Sequence, residues 1–347
     1  MSNDFAATVP KMTGSISAVS SSLIIYLIYR SKPKLSTIYH RIMLGMSVAD
    51  IMASTAMALT TLPMPRNDDP YWAETFSIAE DVQDGLGTVY WRDQTKLGTR
   101  QTCAAQGFFF VTGIFIMFSY NGTLCVYYAC AIALRMKEAN IRKEIEPFIH
   151  GLPLLIGLAP MIPSFIYGFY KPTMYDAWCT LYPLDATGVV GQQGLESQQD
   201  FLKNSMLVGI GILFFNVLIS FTLIIWRVVQ NGRQLAQADS RGDIQIDERF
   251  KAAHRNSRLI MLQSLAYTGA LLLTLLFPVV RNVLQIFVTG IEPFHPLMIG
   301  MSKLMLTFMP LQGFFNFTIF LWHKGKSLSR VFLIINSYDC FINLRDF

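Results

Sequence analysis

The chain has 347 residues, 52% hydrophobic, 13% aromatic and only 15% charged, with a formal net charge of +5. Soluble domains carry about 25% charged residues, so a pair of ordinary soluble domains is excluded, as are a disordered or collagen-like chain. Five cysteines do not make a disulfide-stapled secreted scaffold, and no dense basic patch marks a nucleic-acid partner.

In chain order, apolar stretches run over 12–30, 41–64, 103–134, 147–170, 202–228, 257–289 and 296–322. Each reaches the roughly 20 residues that cross a hydrocarbon core about 30 Å thick. Backbone groups in lipid have no water partner, so only helices or a closed barrel can span it. Runs such as Leu271-Leu272-Leu273-Thr274-Leu275-Leu276-Phe277 lack the alternation of a barrel strand, so the expectation is an all-α seven-helix membrane bundle. The first stretch is the least apolar, with five serines and a glycine between Thr13 and Ser22. No basic region precedes it, so it does not read as a cleaved signal peptide. The chain then divides into an outer N-terminal segment 1–11, a bundle 12–322 and a tail 323–347.

Orientation follows from Lys and Arg in the connections. Segments 30–41, 135–146, 227–258 and 323–347 hold 19 of them, against 7 in 1–11, 65–102, 171–203 and 290–295. The basic side is predicted to be cytoplasmic, with the N-terminus outside and the C-terminus inside. Seven helices with this orientation resemble a G-protein-coupled receptor. That resemblance implies an extracellular small-molecule ligand, a heterotrimeric G protein on the inner face and a multi-pass location in the plasma membrane. A seven-helix transporter or channel is the alternative, although no internal repeat is visible.

Asp50, in Leu44-Gly45-Met46-Ser47-Val48-Ala49-Asp50, lies roughly 14 Å inside helix 2. A carboxylate at that depth must face the bundle interior. The segment resembles the Leu-x-x-x-Asp of rhodopsin-like receptors, which implies a sodium-binding switch residue; the alternative is a protonated structural aspartate. Cys103 opens helix 3 and Cys179 follows Trp178 in the second outer loop, while Cys125, Cys130 and Cys340 are embedded or cytoplasmic. The two outer cysteines have each other to pair with, the disulfide pattern of the receptor superfamily; two free thiols are the other reading. Asn121 on helix 3 and Asn316 on helix 7 are candidate members of the Asp50 switch network. Helix 3 ends in Ala131-Ile132-Ala133-Leu134-Arg135-Met136-Lys137, without the Asp/Glu-Arg-Tyr of rhodopsin-like receptors. Arg135, with Arg255 and Arg258 at the start of helix 6, is expected to face the G protein.

Arg281 and Lys303 lie at matching depth in the outer halves of helices 6 and 7, with no acidic residue in the outer half of any predicted span. Two such cations attract an anion, so an anionic ligand is expected there, with Gln285 and Gln106 as further contacts. The alternative for each cation is snorkelling toward the outer headgroups. Lys303 also precedes Pro310 by the spacing of the retinal-binding lysine in animal opsins, which makes a retinal photoreceptor a second alternative. Its counterion would have to be Asp176, since Gln106 stands where opsins commonly place a carboxylate. Pro310 in Met309-Pro310-Leu311-Gln312-Gly313-Phe314-Phe315-Asn316 permits a kink. This run is similar to helix 7 of cyclic-AMP-receptor-like and secretin-like receptors, as Trp178-Cys179 is to their second loop. Beyond helix 7, Leu328, Val331, Phe332 and Ile335 follow helical spacing, so a short amphipathic helix on the inner leaflet is expected. No zinc, phosphate-loop or nucleophile constellation appears. The expectation is a non-enzyme without a cofactor.

Overall fold

The computed structural model describes residues 3–66, 96–172, 177–181, 196–240, 248–287 and 296–322. Its elements are α1 (Asn3–Arg30), α2 (Ile38–Ala58), α3 (Arg100–Tyr128), α4 (Glu146–Leu158), β1 (Tyr170–Pro172), β2 (Cys179–Leu181), α5 (Glu196–Ser240), α6 (Glu248–Phe287) and α7 (Pro296–Phe308). A π-helical turn, Ala129–Ala133, prolongs α3. Another, Ile141–Ile145, leads into α4, and Met161–Ile166 follows it after a break at Pro160. A 3₁₀ turn, Met309–Leu311, links α7 to further helix that runs to Trp322.

Each of the seven predicted apolar stretches is helical over most of its described residues, with shifted ends. α1 begins at Asn3 rather than near residue 12, so most of the expected outer segment is helical. Phe5 anchors this extension by packing on the apolar cluster that contains Met305 and Leu306. α2 starts at Ile38, where the Thr37 hydroxyl accepts a hydrogen bond from the His40 amide. It stops at Ala58, short of the predicted 64, and Thr60 beyond it takes a left-handed φ of +49°. α5 runs on to Ser240, well past the predicted 228. Among the described residues, six helical segments are long and apolar enough to cross a membrane. α2 falls short because His40, Arg41, Ser47, Asp50 and Ser54 dilute it. Ser47, Asp50 and Ser54 are all buried, so the polar groups face protein rather than lipid.

Most of the apolar interior among the described residues falls into two clusters, with a third, small one of Met64, Cys103 and Cys179. One gathers Ile24, Ile28, Ile42, Met43, Tyr120, Leu124, Tyr128, Ile224 and Tyr267 around the end that carries the α1–α2 link. The other gathers Ala53, Phe110, Phe115, Met161, Trp178, Leu181 and Met305 at the opposite end. Close packing of helices is set by small residues: a Cβ on Gly14 would lie 2.8 Å from the Ser54 carbonyl, and one on Gly113 2.8 Å from that of Ala49. Without a hydrophobic drive between helices in lipid, such close backbone approach supplies the packing energy. α2 is further tied to α4 by an ion pair in which Arg41 grips both carboxylate oxygens of Glu146, the Nη2 bond measuring 2.9 Å.

Candidate functional site

At one end of the bundle, Cys103 in α3 and Cys179 in β2 are joined in a disulfide. β2 pairs antiparallel with β1, with Pro172 opposite Cys179. Gln106, one turn along α3 from Cys103, secures the same strand: its Oε1 accepts from the Cys179 amide at 3.1 Å. Its Nε2 donates to the Ala56 and Thr60 carbonyls at 2.9 and 2.7 Å. These are carbonyls released where α2 ends. Gln106 is therefore committed to joining α2, α3 and the hairpin. Trp178, 1% exposed, lies beside Phe110 with ring centroids 5.2 Å apart, so the segment before the disulfide fills space between the helices.

The two predicted cations address different neighbours. Arg281 is buried, and its Nη1 lies 3.6 Å from the Met305 sulfur. Lys303 is exposed, with its ammonium 5.8 Å from the centre of the Phe5 ring at the start of α1. Residues 303 and 305 point about 200° apart around a helix, so α7 turns one toward α1 and the other toward α6. Lys303 has the exposure of a snorkelling lysine. Gln285 lies in α6 but its side chain is outside the described ones; Asp176, Cys340 and the predicted amphipathic helix lie outside the described residues.

Midway along the bundle, Asp50 is 1% exposed and enclosed by hydroxyls. Ser21 donates to its Oδ2 at 2.7 Å, Ser17 at 3.2 Å and Ser54 at 3.3 Å. The Gly313 amide donates to the Ser17 hydroxyl at 2.8 Å. A Cβ on Gly313 would collide with Asp50 Oδ2 and the Ser21 hydroxyl. α1, α2 and the helix that continues α7 therefore meet at one polar node, and the glycine is there because only a bare backbone fits. Serines 17 and 21, one turn apart within the serine-rich part of the first stretch, were the sequence signal for this face.

The predicted partners of Asp50 belong to other clusters. Asn316 Oδ1 accepts from Gln312 Nε2 at 3.1 Å, and Gln312 Oε1 accepts from the Thr274 hydroxyl at 2.7 Å, joining the helix that continues α7 to α6. Pro310 begins the same passage, in the 3₁₀ turn one helical turn before Gly313. Asn121 Nδ2 donates to the Tyr267 carbonyl of α6 at 3.3 Å. Near it is a group that sequence reading missed. The Tyr39 and Tyr267 hydroxyls are 3.1 Å apart, and Gln263 Nε2 donates to Tyr39 at 2.9 Å. Their signal was the one-turn spacing of Gln263 and Tyr267. At the same end Arg135 is exposed and holds a left-handed φ of +52°, turning the chain out of α3. Arg255 and Arg258 are exposed on α6.

Among solved structures the chain is similar to squid rhodopsin, with a TM-score of 0.64 over 92% of this chain and 77% of that one, at 13% identity. The chain has a rhodopsin-like fold. No family model and no curated protein matches it in sequence. At 13% identity the likeness concerns architecture, and with the apolar helices it makes the chain a multi-pass membrane protein.

Proposed function

We propose that this protein is a plasma-membrane receptor that binds a small anionic ligand at the disulfide end of the bundle and activates a heterotrimeric G protein at the opposite end. The observation that carries the reading is the rhodopsin-type bundle together with a second-loop hairpin stapled to α3. In this reading the disulfide end is outside, consistent with an oxidising compartment. Arg281 supplies the buried positive charge for the ligand, and charge-assisted bonds to it are stronger than neutral ones. The exposed Arg135, Arg255 and Arg258 present a basic face to the G protein. The Asp50 node, which joins three helices between the two faces, is the coupling element, and its carboxylate with the hydroxyls of Ser17, Ser21 and Ser54 forms an all-oxygen set suited to a sodium ion. A ligand that favours one arrangement of such a node shifts the whole bundle by its differential affinity.

The test is nucleotide exchange on a panel of purified heterotrimers by the full chain in lipid nanodiscs, screened with small anionic metabolites. Stimulated exchange on at least one heterotrimer is expected, with the ligand response right-shifted about tenfold or more in Arg281→Ala, the loss of one charge-assisted bond. Solute uptake or ion current in proteoliposomes, with no exchange on any heterotrimer, replaces the receptor by the transporter or channel.

A further inference from the structure

The link between α1 and α2, residues 31–37, is short and carries charge of one sign. From Arg30 to Arg41 the chain holds Arg30, Lys32, Lys34 and Arg41 and no acidic residue. Lys34 turns the chain with a left-handed φ of +44°, and Lys32, Pro33, Lys34 and Ser36 are exposed. The link has three hydroxyls, and two of them have structural tasks. Ser31 donates to the Ile28 carbonyl at 2.7 Å, and Thr37 accepts from the His40 amide. Ser36 is the exposed one of the three.

Ser36 is also a point at which the stretch before α4 touches the link. Arg142 Nη2 donates to the Ser36 carbonyl at 2.5 Å, and Arg41 Nη1 donates to the carbonyls of Leu35 and Ser36 at 2.6 and 3.5 Å. Arg41 is otherwise committed to Glu146. Arg142 is held less firmly: its side chain is 53% exposed, and its pairing with Glu138 measures 4.0 Å. An exposed ion pair of that length contributes little. One guanidinium, half in solvent and with donors to spare, therefore stands at the backbone of an exposed serine. A neutral hydroxyl makes little use of that charge. A phosphoserine carries a charge of about −1.5 to −2 and three acceptor oxygens, and opposite an arginine it makes charge-assisted, commonly bidentate bonds.

We propose that Ser36 is a phosphorylation site for a protein kinase that reads basic residues, and that Arg142 holds the phosphate, stapling the α1–α2 link to the stretch before α4. Arg30, Lys32 and Lys34 all precede Ser36 within the same short run. They supply the positive charge pattern that such a kinase selects, and a kinase that reads acidic residues finds none in the link. In the transfer, the Ser36 Oγ attacks the γ-phosphorus of ATP. The new O–P bond forms as the bond from that phosphorus to the β–γ bridging oxygen breaks, ADP departs, and the hydroxyl proton passes to the kinase's base. The phosphate then displaces Glu138 as the partner of Arg142, whose contact with the Ser36 carbonyl is already in place. The site rests on the receptor reading for its compartment alone, since there the end opposite the disulfide is cytoplasmic and meets ATP and kinases.

The experiment uses the full chain in nanodiscs, which leave both faces open, with ATP and a panel of purified basic-directed and acid-directed kinases. Peptide mass spectrometry is expected to find Ser36 modified by at least one basic-directed kinase, and about tenfold more slowly when Lys32→Gln and Lys34→Gln are combined. Phosphorus-31 NMR of the modified chain, titrated with pH, then reads the clamp. The second ionisation of a free phosphoserine lies near about pH 6. In the chain it is expected roughly half a pH unit or more lower, because the guanidinium favours the dianion. Most of that shift should be lost in Arg142→Gln and kept in Arg142→Lys. No modification of Ser36 by any basic-directed kinase, or a phosphate that titrates alike in the parent and Arg142→Gln, overturns the proposal. A modified and clamped Ser36 without nucleotide exchange on any heterotrimer leaves the site standing and removes the receptor reading; exchange without the modification or the clamp does the reverse.

Discussion

Gly313→Ala is the most direct probe of the Asp50 node. The added methyl would collide with Asp50 Oδ2 and the Ser21 hydroxyl and lie 2.7 Å from that of Ser17. Three side chains from two helices must therefore move. Overpacking of this kind costs about 1–3 kcal/mol. Displacing the carboxylate also breaks the 2.7 Å bond from Ser21 and weakens that from Ser17, at roughly 1 kcal/mol each. Against this, alanine gains up to about 1 kcal/mol over glycine in a helix. The net expectation is a loss of about 2–4 kcal/mol, or a fall in melting temperature of roughly 3–6 °C for a chain of this size. Cys125 and Cys130 are free and buried, so thiol labelling on heating in detergent reports unfolding directly. Gly300→Ala is the control: it lies in α7 with nothing within 4 Å of an added Cβ, and it should melt at or slightly above the parent. Adding Asp50→Ala to Gly313→Ala removes the main clash, so the double variant should be more stable than the sum of the single losses. Gly313→Ala melting like Gly300→Ala would refute the packing of the node.

Gln106→Leu strands the Ala56 and Thr60 carbonyls and the Cys179 amide, and should lower stability by about 2–4 kcal/mol, read by the same melt and by surface expression. Peptide mapping without reductant should recover Cys103 and Cys179 in one linked fragment, and either cysteine changed to alanine should reduce surface expression. Lys303→Ala should change stability by no more than about 0.5 kcal/mol, because the side chain is exposed, and incubation with retinal should produce no visible absorbance band; a band lost in Lys303→Arg would reverse this reading. Asp50→Asn should preserve folding but remove any dependence of nucleotide exchange on sodium concentration, measured with potassium as the balancing ion.

The seven-helix plan was readable from hydropathy alone, because lipid leaves the backbone no alternative to helix over stretches of this length. The need for Asp50 to face inward was equally legible, since an intramembrane carboxylate has few tolerable environments. The disulfide partners followed from topology. Hydropathy was silent on which helix each polar side chain addresses. Side-chain direction depends on the rotation of each helix about its own axis, and apolar residues all round a membrane helix leave that rotation unmarked. Tertiary packing therefore decided that Ser17 and Ser21, rather than Asn121 and Asn316, surround Asp50. It also turned Arg281 toward Met305 and Lys303 toward Phe5, two positions that equal depth had placed together. Gln106 illustrates the same limit. Its residue type announced a polar contact, but the three backbone groups it joins come from chain segments 46 to 73 residues away, brought together only by the fold.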